Sequence, residues 1–346
     1  MKLGIDVGST TVKLVLLNAQ DEILYQKYER HMSSVFDKVR DLLIQMQQEM
    51  GEMDVQVVIT GSGGLALADK IGAKFEQEVI TCSLAVQKLI PETDVVIELG
   101  GEDAKITYFG ASVEQRMNGT CAGGTGAFID QMAILLNTDG DGLNEAAKDY
   151  AVIYPIAARC GVFAKTDIQP LINEGATKED LSASIFQAVV NQTISGLACG
   201  KPIRGHVAFL GGPLHFLSEL KKAFIRTLKL DDEHTIVPEN SHLFAAIGSA
   251  LNAKEDVTVS LTELKDRLRH SIKMDFEVER MDPLFATEED YEEFNKRQSS
   301  YKVATGDLAS YKGNCYLGID AGSTTTKTAL VGEDGSLQVG GQAVLG

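Results

Sequence analysis

The stretch LGIDVGSTTVK (residues 3–13) places an acidic residue, Asp6, at the end of a short apolar run and follows it with a glycine turn. A second apolar run begins directly after the turn. This pattern predicts two strands joined by a tight connection. Taken alone, the stretch also fits a simple hairpin with a type I′ or bulged turn, because a single glycine turn is weak evidence for a ligand site.

The polar residues of this turn are of the types that proteins use to bind phosphate and a metal ion. Gly8 lets the main chain approach a phosphate, while Ser9 and Thr10 offer hydroxyl and amide donors. Asp6 is suited to position a hydrated Mg²⁺ or a water, since Mg²⁺ prefers one or two carboxylates and keeps its waters. Lys13 adds a cation.

The same stretch returns as LGIDAGSTTTK (residues 317–327), 314 positions later. The acid, the glycine, the serine, the threonine and the lysine are all retained, which favours a ligand-binding hairpin over a plain turn. The second copy has little chain behind it, since the sequence stops at Gly346, and an isolated hairpin is marginally stable. We therefore expect this chain to be the front portion of a longer protein with a second, similar domain.

Two further glycine turns follow strands. ELGGEDAK (residues 98–105) repeats the design of an acid, Glu98, before a Gly-Gly turn, and it adds Glu102 and Asp103. Two acidic, glycine-bearing hairpins that face one another would clamp a polyphosphate and its metal between two lobes. LGGP (residues 210–213) follows a third strand and could pack against a flat base or a ribose.

Strand and helix patterns alternate from residue 1 to about residue 252, which predicts an α/β protein. Gly51 suits the C-cap of a helix whose N-terminus carries a capping pair, Ser34 and Asp37. Thr177 and Asp180 form a similar pair ahead of a later helix.

Residues 253–314 are strongly charged. We expect this segment to be a linker or an insert, with exposed helices at TELKDRLRH (262–270) and TEEDYEEFNKR (287–297). Its charge is typical of a solvated face.

Length and composition indicate a globular protein. A chain of 346 residues with 44% hydrophobic and 23% charged residues is long enough for two domains. A formal net charge of -17 argues against a nucleic-acid-binding surface and against a polybasic membrane patch. No secretory signal or transmembrane stretch is evident, so we expect a cytoplasmic protein with reduced thiols. Its five cysteines are then buried thiols or cofactor ligands rather than disulfides.

The order of these turns resembles the acetate/sugar kinase, Hsp70 and actin superfamily, a two-lobed ribonuclease H-like fold that closes over ATP. Within it, the sequence resembles the activators of 2-hydroxyacyl-CoA dehydratases and the ATP-binding subunits of benzoyl-CoA reductases. The resemblance implies an ATPase domain over residues 1–252, then the charged linker, then the first hairpin of a second ATPase domain at 315–346. Lobe I would hold residues 1–92 and 235–252, and lobe II residues 93–234.

The resemblance also implies roles for single residues. The catalytic acids, which orient Mg²⁺ and the attacking water, would be Asp6, Glu98 and Glu102. The ATP or ADP contacts would be Gly8, Ser9, Thr10, Lys13, Gly100, Gly101, Gly124 and Thr125, with Gly211, Gly212 and Pro213 on the adenosine side. Much of the superfamily has aspartate where Glu98 stands, and the activators often have glutamine where Glu102 stands. These two departures concern metal geometry and not nucleotide binding.

Two cysteines set the activators apart from kinases. They are Cys121 in CAGGTG (121–126) and Cys160 in the C-x-V-F segment CGVF (160–163). In the family, both cysteines of each subunit in a homodimer hold one shared [4Fe–4S] cluster. A cubane needs four thiolates, and two per chain meet that number in a symmetric dimer. The amides at the start of the helix after Cys121 could stabilise the anionic cluster.

A single cytosolic cysteine is ordinarily an inert core residue. On that ground we expect Cys82 and Cys199 to be core residues, and we assign no role to Cys315. The six histidines show no metal-ligand spacing.

The resemblance implies that a reduced cluster donates one electron to an acyl-CoA dehydratase or reductase, with ATP driving the transfer. Reduced ferredoxin or flavodoxin would supply the electron. Two alternatives on the same fold are a small-molecule kinase and a regulator that senses ATP without redox chemistry. The kinase would need an acid in a substrate cleft and no cluster.

Overall fold

The computed structural model describes residues 1–118, 123–157, 161–253, 258–269, 281–322 and 325–344. The chain divides into two compact units, Met1–Ser271 and Ile272–Gly346. The strands are, in chain order, β1 (Lys2–Val7), β2 (Thr11–Leu17), β3 (Ile23–Arg30), β4 (Asp54–Thr60), β5 (Lys74–Phe75), β6 (Val95–Leu99), β7 (Ala104–Tyr108), β8 (Glu114–Met117), β9 (Val207–Leu210), β10 (Thr235–Ile236), β11 (Val259–Ser260), β12 (Cys315–Ala321), β13 (Thr325–Gly332) and β14 (Leu337–Val344).

The helices of the first unit surround and connect its two sheets. They are α1 (Val35–Met50), α2 (Gly64–Ile71), α3 (Glu78–Leu89), α4 (Gly126–Leu135), α5 (Gly140–Ala146), α6 (Gly161–Asn173), α7 (Lys178–Thr193), α8 (Gly212–Phe216), α9 (Ser218–Leu228), α10 (Phe244–Leu251) and α11 (Leu261–Arg269). A π-helical turn, Ile194–Ala198, continues α7, and a 3-10 turn, Ser241–Leu243, precedes α10. The second unit contains α12 (Glu288–Ser299).

The two sheets of the first unit share one topology. The first has the order β11-β4-β1-β2-β3, with β5 also paired to β4, and the second has the order β10-β9-β6-β7-β8. In each sheet three antiparallel strands come first, and a later strand adds in parallel to the first of them. This duplicated α/β arrangement is the two-lobed fold that the sequence predicts.

The two lobes are joined through a shared layer of helices. α10 packs on β1 and on α3. Apolar residues of α3 and α10 form one core cluster with Val15 on β2, Val96 on β6 and Ala208 on β9. A Cβ on Gly248 of α10 would lie 1.7 Å from the carbonyl oxygen of Thr81 in α3, so only glycine allows this crossing. The strands that end at the candidate site are thereby anchored to one common layer.

The structure of the charged segment after residue 253 agrees with the prediction only in part. α11 forms, but its leucines Leu261, Leu264 and Leu268 are buried in the core of the first lobe. The prediction that this helix is exposed is therefore wrong. The three leucines recur at helical spacing and form a narrow apolar stripe among many charges. α12, by contrast, has no buried residue, as predicted.

In the second unit, β12, β13 and β14 form an antiparallel sheet. The predicted second hairpin is present, and Asp320 faces Lys327 in register as Asp6 faces Lys13 in the first copy. The predicted boundaries of a linker at 253–314 and a second domain from residue 315 remain predictions. None of the described helices is long and apolar enough to cross a lipid bilayer.

Candidate nucleotide site

Two acid–lysine pairs lie at matching positions in the two lobes. Asp6 near the end of β1 faces Lys13 on β2, and the Lys13 Nζ lies 2.8 Å from Asp6 Oδ2. Glu98 near the end of β6 faces Lys105 on β7, with 3.9 Å between Lys105 Nζ and Glu98 Oε1. The duplicated topology thus presents one carboxylate and one lysine from each lobe.

The turns of the two hairpins meet. A Cβ on Gly101 would lie 2.3 Å from the Thr10 Oγ1 and 2.9 Å from the Ser9 Oγ, so a side chain at Gly101 cannot be accommodated. The prediction that the hairpins face one another is confirmed. On the other side of the first turn, the His31 ring Nε2 lies 3.1 Å from the carbonyl oxygen of Gly8.

Between the hairpins is a narrow polar space of about 40 Å³. Its lining includes nine of the predicted site residues, namely Asp6, Gly8, Ser9, Lys13, Glu98, Gly100, Gly101, Gly211 and Gly212. The third glycine turn reaches it because Gly211 adopts a φ of +91° and packs directly on Leu99, where a Cβ would lie 2.0 Å from the Leu99 carbonyl oxygen. The three turns that the sequence singled out therefore converge on one place.

A larger cavity of about 630 Å³ adjoins this space and shares Thr11, Tyr28, Gly101 and Gly212 with it. Thr10 and Pro213 line the larger cavity only. Its apolar wall is formed by Ile129, Ala133, Ile134, Phe216 and Leu217. This volume lies in the range of small-molecule and cofactor sites. A polar recess beside a partly apolar cavity fits a molecule with one highly charged end and one flat end.

Asp6 has the electrostatics of a metal-binding carboxylate. Its side chain is 3% exposed, and its Oδ1 has no hydrogen-bond partner within the described part of the chain. Burial raises the pKa of Asp6, against the opposing charge of Lys13. A buried carboxylate oxygen without a partner is costly unless a ligand uses it. The residue thus fits a hydrated Mg²⁺, which needs only one or two carboxylates.

Two charged residues of the site, Glu78 and Lys105, were not predicted from the sequence. Lys105 is buried, and its Nζ lies 2.7 Å from Oε1 of Glu78 at the start of α3. Burial alone would raise the pKa of Glu78, but the charge of Lys105 lowers it. Burial raises the pKa of Glu98, which shares this lysine with Glu78. One signal was available, because Asp6 to Lys13, Glu98 to Lys105 and Asp320 to Lys327 all span seven residues.

His242 lines the narrow space and His215 lies beside it, although their sequence positions show no pattern. The rings of His215 and His242 lie 3.8 Å apart between centroids, next to Tyr28 and Phe216. Burial lowers the pKa of His242 to about 4 and also lowers the pKa of His215. The lowered pKa values favour the neutral form of both rings beside the narrow space.

Three predicted residues lie outside both spaces. Glu102 is exposed and lines neither of them. Gly124 packs against α7, where a Cβ would lie 3.2 Å from the Thr193 Oγ1. Thr125 is buried at the start of α4 and also lines neither space. Their predicted roles remain predictions that the geometry does not support.

The first amides of α4 are engaged at the second hairpin. Gly126 N–H donates to the Gly100 carbonyl at 3.0 Å, and Ala127 N–H donates to the Gly101 carbonyl at 2.7 Å. These two amides are thus used within the protein and not directed toward a cluster. Their bonds tie the start of α4 to the Gly-Gly turn.

Cys121 and Cys160 lie outside the described residues. The helices that follow them, α4 and α6, contact each other. The segment before Cys160 is held by α7, because Asp180 Oδ1 accepts hydrogen bonds from the amides of Ala151 at 2.7 Å and Val152 at 2.8 Å. Cys82 is buried as predicted.

The prediction that Cys199 is a core residue is wrong. Cys199 is exposed, and it ends the π-helical turn with a φ of +46° at the surface.

Comparison with known proteins identifies the family. The model of the BadF/BadG/BcrA/BcrD ATPase family matches residues 3–253. The chain belongs to this family. It is therefore an ATPase, and the match covers the unit that contains both hairpins and both spaces.

Characterised relatives share this region. The chain is 29% identical over 269 residues to the 2-hydroxyisocaproyl-CoA dehydratase activator of Clostridioides difficile, covering 76% of this chain and 98% of that protein. It is 28% identical over 213 residues to the (R)-2-hydroxyglutaryl-CoA dehydratase activating ATPase of Acidaminococcus fermentans, covering 61% of this chain and 82% of the relative.

Solved structures of such activators have the same fold. The component A of the Acidaminococcus fermentans (R)-2-hydroxyglutaryl-CoA dehydratase superposes with a TM-score of 0.64 at 26% identity, over 73% of this chain and 96% of that chain. The activator of the Clostridium difficile 2-hydroxyisocaproyl-CoA dehydratase, with bound ADPNP, gives a TM-score of 0.62 at 25% identity, over 82% and 99%.

Proposed function

We propose that this ATPase is an activator that transfers one electron to an acyl-CoA dehydratase or a related reductase and couples the transfer to ATP. The observation that carries the proposal is the pair of opposed acid–lysine hairpins, one from each lobe, beside a cavity large enough for a nucleoside. Its relatives are activators of acyl-CoA dehydratases, and they supply the class of partner.

In the proposed mechanism the nucleotide spans both spaces. The base and ribose occupy the larger cavity near Gly212 and Pro213, and the phosphates lie in the narrow space. Asp6 would hold a hydrated Mg²⁺, which would neutralise phosphate charge, and Glu98 would orient the attacking water. The donors at Ser9, Thr10 and Gly101 stabilise phosphate charge, aided by Lys13. The amides of Gly8 and Gly100 donate to the carbonyls of Thr11 and Asp103 within the turns, so these two glycines contribute close approach of the main chain instead.

The Gly-Gly turn connects the phosphates to the helix after Cys121. Because Gly100 and Gly101 accept the first two amide hydrogen bonds of α4, a shift of this turn moves the start of α4 with it. The phosphate state of the nucleotide thereby sets the position of a cysteine-bearing segment.

Cys121 and Cys160 of two subunits would together hold a [4Fe–4S] cluster, whose chemistry is one-electron transfer at low potential. The donor set fits, since two cysteines per chain supply four thiolates in a symmetric dimer. Val162 and Phe163, in the first turn of α6, are 70% and 62% exposed. This apolar surface directly after Cys160 is suited to contact a second subunit.

Anaerobic purification tests the proposal. We expect about four irons and four sulfides per two chains, a dimer by mass, and a reduced state with a paramagnetic spectrum after treatment with reduced ferredoxin or flavodoxin. Cys121→Ser and Cys160→Ser should each lose iron, while Cys199→Ser, at an exposed cysteine, should keep it. Iron-free monomers from a strictly anoxic preparation would contradict the redox proposal.

Activity separates the proposal from its two alternatives. An activator should support turnover of an acyl-CoA dehydratase only with ATP and an electron donor present. Phosphorylation of a small molecule by an iron-free protein would instead identify a kinase. Steady ATP hydrolysis without a partner and without redox-active iron would identify an ATP-sensing regulator.

A further inference from the structure

We infer that Cys82 is a positioning residue for Glu98, whose carboxylate its thiol holds by a hydrogen bond. The Cys82 Sγ lies 3.6 Å from Glu98 Oε2. This inference rests on the proposed function, in which Glu98 orients the attacking water.

The side chains of Cys82 and Glu78 lie on one face of α3, and this face contacts the second hairpin. They are four residues apart, so their side chains lie one above the other on the helix. Glu78 contacts Lys105, and Cys82 contacts Glu98. Glu98 on β6 and Lys105 on β7 are opposite each other in the sheet. One turn of α3 therefore contacts both members of the acid–lysine pair.

The thiol acts as a donor because it stays protonated. Cys82 is 7% exposed, and burial raises the pKa of its thiol well above the usual value. A carboxylate only accepts hydrogen bonds, so the S–H group is the donor. The other carboxylate oxygen of Glu98 faces Lys105. Cys82 thus contributes a hydrogen bond to Glu98 from α3, and Lys105 contributes its charge from β7 at 3.9 Å.

Space filling alone does not require a sulfur atom here. Cys82 belongs to a core cluster with Ala85 and Val86 of the same helix, so its packing neighbours there are apolar. What alanine cannot supply is the donor to Glu98. Because α3 packs on α10 in the layer between the lobes, the hydrogen bond makes the orientation of Glu98 depend on that layer.

The test compares Cys82→Ala, which removes the donor, with Cys82→Ser, which keeps one. We expect Cys82→Ala to lower the kcat of ATP hydrolysis by about 3- to 10-fold, the effect of one hydrogen bond. The KM for ATP should stay within about twofold, because the nucleotide contacts remain in place. Cys82→Ser should keep kcat within about twofold of the unchanged protein.

Val86→Ala is the matched control for packing. Val86 lies on α3 in the same cluster and is 1% exposed. This variant should lower the melting temperature and leave kcat unchanged. The inference is overturned if Cys82→Ala keeps full kcat, or if Cys82→Ser loses as much kcat as Cys82→Ala.

Glu98→Gln distinguishes failure of the proposed role of Glu98 from failure of the inference about Cys82. If Glu98→Gln hydrolyses ATP normally, the proposed role of Glu98 is wrong and the inference about Cys82 falls with it. If Glu98→Gln is inactive and Cys82→Ala is fully active, only the inference about Cys82 is wrong. All assays use the full chain under anoxic conditions.

Discussion

The Asp6 carboxylate uses its two oxygens differently. Oδ2 accepts from Lys13, and Oδ1 is buried without a partner in the part of the chain that the structure describes. We expect Asp6→Asn to lower the kcat of ATP hydrolysis by roughly 100-fold or more, because a neutral amide is a poor ligand for hydrated Mg²⁺. Nucleotide affinity measured without Mg²⁺ should change much less than affinity measured with it.

The repeated hairpin offers a control for this variant. Asp320 pairs with Lys327 at 3.1 Å in the same register, but its side chain is 68% exposed and lies outside the family match. Asp320→Asn should leave ATP hydrolysis unchanged. Equal losses in Asp6→Asn and Asp320→Asn would show that the first hairpin has no special role.

Lys105 is buried and contacts two partly buried acids, Glu78 and Glu98. Lys105→Met should therefore lower the free energy of unfolding at pH 7 by about 2 kcal/mol, since it leaves two partly buried carboxylates without their cation. Adding Glu78→Gln should recover part of this loss. Urea unfolding of the three variants measures the effect, and a double variant no more stable than Lys105→Met would contradict it.

This ion pair also predicts a pH dependence. The folded pKa of Glu78 is lowered, so its contribution to stability is present above its unfolded pKa and is lost as pH falls through its folded pKa. The difference in stability between the unchanged protein and Lys105→Met should consequently shrink in acid. A difference that stays constant from pH 7 to pH 3 would count against the pair.

At the scale of single elements, α11 belongs to the core of the first lobe. Leu264 is 0% exposed, so Leu264→Ala should cost about 2–4 kcal/mol of unfolding free energy. Leu284, in the same charged region, is 88% exposed, and Leu284→Ala should change stability by less than about 0.5 kcal/mol. Similar unfolding midpoints for both variants would contradict the packing of α11.

The segment that leads to Cys160 is held in part by one carboxylate of α7. Asp180→Ala removes the acceptor of two backbone amides, so the start of this segment should become less fixed, although the amides of Tyr154 and Ala157 keep their own acceptors. If the cluster is present, we expect iron to be released to a chelator several-fold faster, with nucleotide affinity unchanged. Asp149→Ala, at an exposed acid nearby, should release iron at the normal rate.

At the scale of the whole ATPase unit, one ion pair spans the two lobes at the cavity wall. Arg30 ends β3 in the first lobe, and both of its terminal nitrogens contact Asp130 on α4 at 2.8 and 3.2 Å. Both residues line the larger cavity. The pair is partly exposed, so each charge reversal should weaken ATP binding by only about 2- to 5-fold.

The reversed pair tests whether this contact links the lobes. Arg30→Asp combined with Asp130→Arg should recover most of the affinity lost in each single variant. Binding calorimetry with a non-hydrolysable analogue measures the three variants. Losses that simply add in the double variant would show that the two side chains act independently.

Much of the site could be predicted because its signals are local. Asp6, Gly8 and Lys13 lie within one hairpin, and the strand pattern and the turn residues both point to that hairpin. The predicted capping of α7 by Thr177 is confirmed, since its side chain accepts from Asp180 N–H. Ser34 is the N-cap residue of α1 as predicted, but its side chain makes no capping hydrogen bond.

By itself the sequence determined the three glycine turns and the acids that precede them, since each depends on neighbours within a few residues. Its resemblance to a known family implied the two-lobed ATPase. The tertiary structure alone decided that Glu78 pairs with Lys105, that Cys82 faces Glu98, and that Arg30 meets Asp130. These pairs join residues 27, 16 and 100 positions apart. Such contacts arise from how helices and sheets pack, and no local pattern of residues encodes that packing.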